Sequence, residues 1–161
     1  MEEKKFQFEY EVYQDTTELS SADAELLTAA REVTQQAYAP YSRFFVGAVA
    51  RLSNGQTVKG TNQENASYPV GICAERVLLG NAATLYPNIS IDTLAISYST
   101  KELKSDHPIS PCGMCRQALL EYEARTNHPI RLILSGQEGN VYIVKSVTHL
   151  LPFAFKSDEL I

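Results

Sequence analysis

The chain has 161 residues, 44% of them hydrophobic and 20% charged, and a net charge of −5 from 14 basic and 19 acidic side chains. That balance predicts one domain with a core of its own, and it excludes a disordered chain, a collagen and a coiled-coil rod. The longest apolar stretch, about Phe44 to Ala50, is far short of the ~20 residues that a membrane span needs. The basic residues are scattered, so no nucleic-acid surface is expected, and the charged opening MEEKKFQFEYE does not suit a secretory signal; a cytoplasmic protein is expected.

Phe6, Phe8, Tyr10 and Val12 alternate with polar residues, which predicts a strand over 6–12 with one buried face. Ser20 or Ser21 offers an N-cap, and Leu26, Ala30, Val33 and Ala37 follow at helical spacing until Pro40. Phe44 to Leu52 reads as a strand, Asn54-Gly55 as a tight turn with positive φ, and Thr57 to Thr61 as the return strand. Residues 62–72 read as a loop, 73–85 as a helix ended by Pro87, and Ile91 to Tyr98 as a strand. Pro111, at its favoured first position, starts a helix to about Ala124. Ile130 to Leu134 and Val141 to Lys145 read as strands, and a short helix near Val147 to Leu151 stops at Pro152. Without the first strand the order is α-β-β-α-β-α-β-β, which predicts one mixed sheet with helices on its faces.

Three cysteines, Cys73, Cys112 and Cys115, do not make a disulfide framework. Cys112 and Cys115 are three apart, so both sulfurs share one face of a helix start, where free N–H groups favour thiolates. Cys73 opens a second helix 39 residues earlier, far enough for a helix and a crossing strand to bring all three sulfurs to one sheet edge. Three ligands leave a fourth position open, the habit of a catalytic zinc. The histidines are not expected as ligands: His107 and His128 precede prolines in loops, and His149 lies on the short C-terminal helix. A CxxC can also be a redox pair, but the third cysteine and Glu75 weigh against that. Glu75, two residues after Cys73, is either a carboxylate that complements a helix dipole or a general acid/base beside a metal-bound water.

Cys-Ala-Glu at one helix start and Pro-Cys-x-x-Cys at another make the zinc-deaminase signature. The sequence resembles the small three-cysteine cytidine deaminases that act on free nucleosides. The stretches that carry the likeness are AYAPYSRFFVGA (37–48), TNQENASYPVGICAER (61–76), SPCGMCRQ (110–117) and LLPFAF (150–155), in family order over about residues 22–161. The resemblance implies a three-layer α/β/α fold with a mixed five-stranded sheet, to which the 6–12 strand is an addition. It implies a single domain over 1–161, of which 1–20 is an extension. It implies that Cys73, Cys112 and Cys115 hold one Zn²⁺ per chain and that Glu75 shuttles protons. Asn62 and Glu64 would hold the ribose 3′-hydroxyl and Phe44 would pack on the pyrimidine, although a strand aromatic is usually core and the pair could be plain loop polars. The Ala74 N–H would meet the base carbonyl and the Ser110 carbonyl the amino group. Arg76 would donate to the thiolates, with Arg116 as a further support that could equally be structural.

The implied reaction is hydrolysis of cytidine and 2′-deoxycytidine to uridine and 2′-deoxyuridine with release of ammonia, in pyrimidine salvage. The implied assembly is a homotetramer in which Tyr68 and Phe155 reach a neighbour's site. The N-terminal strand, Phe45, Val49 and the long polar loop 99–109 depart from the family pattern and bear on subunit packing and access rather than chemistry. Two rivals remain at this stage: a deaminase of another aminated heterocycle, such as an aminonucleoside antibiotic, and a non-catalytic zinc module.

Overall fold

Period-two runs of β-branched residues and Ala form the centre of the computed structural model, which describes residues 1–160; Ile161, the last residue of the expected domain, lies outside the described residues. The first hairpin has the expected bounds, β2 (Phe44–Leu52) and β3 (Thr57–Thr61). Its turn differs in detail. Only Gly55 takes positive φ, 82°, while Asn54 Oδ1 accepts from the Gln56 N–H at 3.1 Å. This is a four-residue loop with Gly in the left-handed position, not a two-residue turn.

β4 (Ile91–Thr100) pairs antiparallel with β2 and parallel with β5 (Arg131–Ser135); β5 pairs antiparallel with β6 (Val141–Val144), and β6 with β1 (Tyr10–Tyr13). The result is one mixed six-stranded sheet in the order β1-β6-β5-β4-β2-β3. Alternation along each strand splits the core in two. Ala48, Ala50, Leu94, Ile96, Leu132 and Leu134 belong to the cluster under α2 (Ala74–Leu85) and α3 (Gly113–Thr126). Val49, Ala95, Ile133, Val141 and Ile143 belong to the cluster with α1 (Ser21–Val33). Residues adjacent in one strand point to opposite faces, so the two clusters lie on opposite sides of the sheet.

Several expectations are corrected. The first strand spans Tyr10–Tyr13 rather than 6–12, and Phe6, Phe8, Tyr10 and Val12 are all exposed. The alternation is real, but β1 is the sheet edge, and its rings pack on one another, on Tyr142 (5.2 Å from Tyr10) and on His149 (5.6 Å from Phe8) instead of entering a core. α1, capped by Ser20, tightens into a 3-10 turn at Thr34–Gln36, which leaves Ala37 outside it. Pro111 is not the first residue of α3: Cys112 is the N-cap, in extended conformation, and Gly113 begins the helix. No helix of the described residues is long and apolar enough to cross a membrane.

Candidate metal and catalytic site

Cys73 and Cys112 occupy the N-caps of α2 and α3, and Cys115 lies in the first turn of α3. Neither N-cap thiol caps its own helix, so the free N–H groups of both first turns face the same end of the sheet. Gly60 permits this convergence: a Cβ there would collide with the Ala74 carbonyl and the Leu78 backbone nitrogen, so only glycine lets α2 lie this close to β3.

The Cys73 and Cys112 sulfurs are 3.8 Å apart, those of Cys112 and Cys115 3.5 Å, and all three lie within 4.8 Å of one another. A zinc ion with Zn–S bonds of about 2.3 Å needs sulfurs about 3.8 Å apart at the corners of a tetrahedron, so the triangle fits the ion. Among the described residues this is the one cluster suited to a metal, and it contains no histidine. His107 approaches Tyr98, His128 pairs with Asp92 and His149 stacks on Phe8. The neighbouring Cys115 and Cys112 thiols and the Arg76 charge hold Cys73 down at about 6 against partial burial and the Glu75 charge. Cys115, which keeps the proton and is buried, is pushed far up.

Glu75, in the first turn of α2, is 5% exposed. Burial pushes its carboxyl above the usual carboxylate range. Ala74 is fully buried beside it, and Ser110 is exposed just ahead of Pro111. Arg76 is half-buried and makes no hydrogen bond to sulfur among the described residues; it acts on Cys73 through charge. Arg116 makes contacts that fit the structural one of its two expected roles. Its Nε donates to the Pro111 carbonyl at 2.8 Å and an Nη to the Leu150 carbonyl at 3.0 Å, which fixes the turn before Cys112 to the C-terminal segment.

A cavity of about 470 Å³ opens beside Cys73, lined by Asn62, Glu64 and Tyr68 and also by Tyr41, Ser42 and Ile72. Asn62 spans β2: its Oδ1 accepts from the Val46 N–H at 2.7 Å and its Nδ2 donates to the Phe44 carbonyl at 2.9 Å. Glu64 Oε2 accepts from the backbone N–H groups of Tyr41 (2.9 Å) and Ser42 (3.3 Å). These bonds, with the Ser42 hydroxyl foremost, keep its carboxyl below the usual range. Phe44 lies behind this wall, stacked on Tyr98. Phe155 is not brought to this cavity; it is 58% exposed in a groove with Leu120, Glu123 and Arg125. Sequence reasoning missed the backbone amides of Tyr41 and Ser42, although AYAPYS was on view: a residue that works through its N–H leaves no side-chain signature.

The family model for the cytidine and deoxycytidylate deaminase zinc-binding region matches residues 20–128. A cytidine deaminase of Halalkalibacterium halodurans is 34% identical over 135 residues, which cover 84% of this chain and 95% of that protein. One from Mycobacterium tuberculosis is 35% identical over 134 residues, covering 81% of this chain and 87% of that one. A solved cytidine deaminase structure from Burkholderia pseudomallei superposes with a TM-score of 0.71 at 34% identity, over 85% of this chain and all of that one. With a three-cysteine cluster that could hold a metal ion inside the matched region, the chain belongs to the zinc-binding cytidine and deoxycytidylate deaminase family.

Proposed function

We propose that the protein is a zinc-dependent hydrolase that converts cytidine and 2′-deoxycytidine to uridine and 2′-deoxyuridine with release of ammonia. The observation that carries the reading is the closed triangle of Cys73, Cys112 and Cys115 beside the buried Glu75, opening onto a cavity that holds Asn62 and Glu64. Zinc bound by the three sulfurs supplies the Lewis acidity that lets water lose a proton near neutral pH. Glu75 accepts that proton and delivers it to N3 as the water oxygen bonds to C4; it then takes the remaining proton of that oxygen and passes it to the amino nitrogen, which leaves as ammonia as the C4–N bond breaks and the C4 carbonyl forms. Its burial favours the protonated form it must hold between the two transfers. Three thiolates carry one charge more than the ion neutralises; the first turns of α2 and α3 and the Arg76 guanidinium offset the excess.

The substrate contacts belong to the same reading. The Ala74 N–H, in a first turn with no intrahelical acceptor, donates to the base carbonyl, and the Ser110 carbonyl accepts from the amino group. Glu64 keeps Oε1 for the ribose 3′-hydroxyl while Oε2 is tied to Tyr41 and Ser42, and Asn62 adds its second amide hydrogen. Phe44 supplies the wall for the pyrimidine.

We place the reaction in pyrimidine salvage and the protein in the cytoplasm, where the three free cysteines, Cys73, Cys112 and Cys115, would stay reduced. The core is read as a three-layer α/β/α domain over 22–161 whose five strands are β2 to β6, with residues 1–20 and β1 as an extension; two clusters on opposite sheet faces support it. A homotetramer with shared sites accounts for the exposure of Tyr68 and Phe155. The test is to incubate zinc-loaded protein with cytidine, 2′-deoxycytidine, free cytosine and other aminated heterocycles, following the loss of the amino group by ultraviolet absorbance. Turnover of the two nucleosides is expected, with cytosine poor; turnover of another heterocycle alone would overturn the reading.

A further inference from the structure

We propose that Tyr98, held by His107, is a positioning residue for the substrate: it fixes the plane of the Phe44 ring against which the pyrimidine packs. The inference rests on the reading that places the base against Phe44, and it gives a role to the loop 99–109, which the family pattern does not explain.

Phe44 opens β2, and its backbone is bonded to two residues of the cavity wall. Its N–H donates to Ser42 Oγ at 3.1 Å and its carbonyl accepts from Asn62 Nδ2 at 2.9 Å, and both partners line the cavity. Its ring is held from behind. Tyr98 pairs with Val46 and Thr100 with Phe44, so Phe44 and Tyr98 are diagonal neighbours on one sheet face. Their rings stack with centroids 4.9 Å apart and planes within 16°. Phe44 is half-buried, whereas Tyr98 is 2% exposed, so the buried ring backs the more accessible one.

The Tyr98 hydroxyl is fixed in turn. It lies 3.1 Å from His107 Nδ1, which is also 3.2 Å from Asp106 Oδ1. A histidine in a long polar loop holds nothing unless the loop is fixed, and this one is. Ser105 Oγ accepts from the Thr100 N–H at 3.1 Å, and the Ser105 carbonyl accepts from the Glu138 N–H at 3.2 Å. Gly136 and Gly139 of the β5–β6 turn leave room for the carbonyls of Ser105 and Asp106, which a Cβ at either glycine would strike. Gln137 Nε2 donates to the Tyr98 carbonyl at 3.1 Å, and Arg43, next to Phe44, pairs with Glu102 at 2.7 Å. The loop thus forms a bracket running from the β5–β6 turn through His107 and Tyr98 to the Phe44 ring. A substrate wall that is held in one plane costs less to order when the pyrimidine binds, so the bracket acts on nucleoside affinity.

The test uses zinc-loaded protein carrying Tyr98→Phe, which keeps the stack and removes the hydroxyl, and His107→Ala, whose side chain is 66% exposed and whose loss spares the core. KM and kcat for cytidine and Kd for uridine by calorimetry are measured in the wild-type and Phe44→Ala backgrounds. Each variant is expected to raise KM and the uridine Kd about three- to tenfold, with kcat within about twofold and zinc content unchanged, and to add nothing once Phe44 is Ala. Wild-type KM and Kd in both variants while Phe44→Ala is impaired would overturn the proposal alone, and so would effects that add in full on Phe44→Ala. Wild-type values in Phe44→Ala would show that the base does not pack on this ring, and the underlying reading would fall together with the proposal. The uridine Kd needs no turnover, so a protein that binds pyrimidine nucleosides but does not deaminate them fails the functional reading and still decides the bracket.

Discussion

A carboxyl that takes a proton and returns it within one turnover works best when neither state dominates, and burial moves Glu75 upward toward that condition. Glu75→Gln keeps the shape and removes the carrier. Turnover of cytidine is expected to fall by about 10²–10⁴-fold or more, with zinc content by metal analysis at the wild-type level. A variant that keeps more than about a tenth of the turnover would not fit the 10²-fold lower bound of such a role. Asn62 and Glu64, paired in the sequence reading, separate in the structure. Asn62 ties Phe44 and Val46 together through both ends of its amide, so Asn62→Ala is expected to lower the melting temperature as well as raise KM; each lost bond is worth about 1 kcal/mol. The partners of Glu64 are backbone N–H groups of exposed residues that water can satisfy. Glu64→Ala is therefore expected to raise KM for cytidine with little change in melting temperature. Thermal melts beside Michaelis kinetics on both variants check the contrast, and equal loss of stability in the two would contradict it.

Among the elements, α3 ties the cysteine cluster to the C-terminal segment: Cys112 and Cys115 at its start, Arg116 against Leu150, Gln117 Nε2 donating to the Phe155 carbonyl at 2.9 Å, and Glu123 near its end. Glu123 is buried, and its carboxylate accepts from the N–H groups of Ile130 (2.8 Å) and Val147 (3.1 Å) and from Ser146 Oγ (2.7 Å). It fastens the start of β5 and of the short 3-10 helix Val147–Leu150 to α3. Glu123→Ala strands buried donors, and urea unfolding is expected to show a loss of about 2–5 kcal/mol, with zinc binding retained in the folded fraction. A loss below about 1 kcal/mol would show that water replaces the carboxylate. None of this was legible in the sequence, because Glu123 is spaced like any solvent-facing helix residue and its partners come from the far side of a connection. What was legible were features with local causes: β2 and β3 to the residue, the Ser20 cap, and the cysteine spacing that puts sulfurs at helix starts. Residues 6–12 failed for the opposite reason, since alternation reports two faces and says nothing of what covers either. The Tyr98–His107 contact stayed hidden because it depends on how a loop folds back over a strand end.

For the whole molecule, the C-terminal segment poses the problem of where Phe155 acts. In its own chain it shares a groove with Leu120, Glu123 and Arg125 and touches neither the cysteine cluster nor the cavity of Asn62 and Glu64. Gln117 and Arg116 hold the backbone of the segment against α3, so it is presented rather than loose, and Phe153 and Phe155 are exposed on it. A ring fixed at the surface away from its own site can serve catalysis only at a neighbour's site, as the proposed tetramer requires. Phe155→Ala is then expected to weaken cytidine binding by up to about 1–3 kcal/mol, the worth of a buried aromatic contact, without loss of zinc. Mixing distinguishes sharing from a plain packing defect. Chains carrying Glu75→Ala lack the proton carrier, and chains carrying Phe155→Ala bind substrate poorly. Co-refolded, some sites combine an intact Glu75 from one chain with an intact Phe155 from another, so activity at low cytidine should exceed the sum of the two separate preparations. If mass spectrometry shows mixed assemblies and the activity only equals that sum, Phe155 acts within its own chain or not at all.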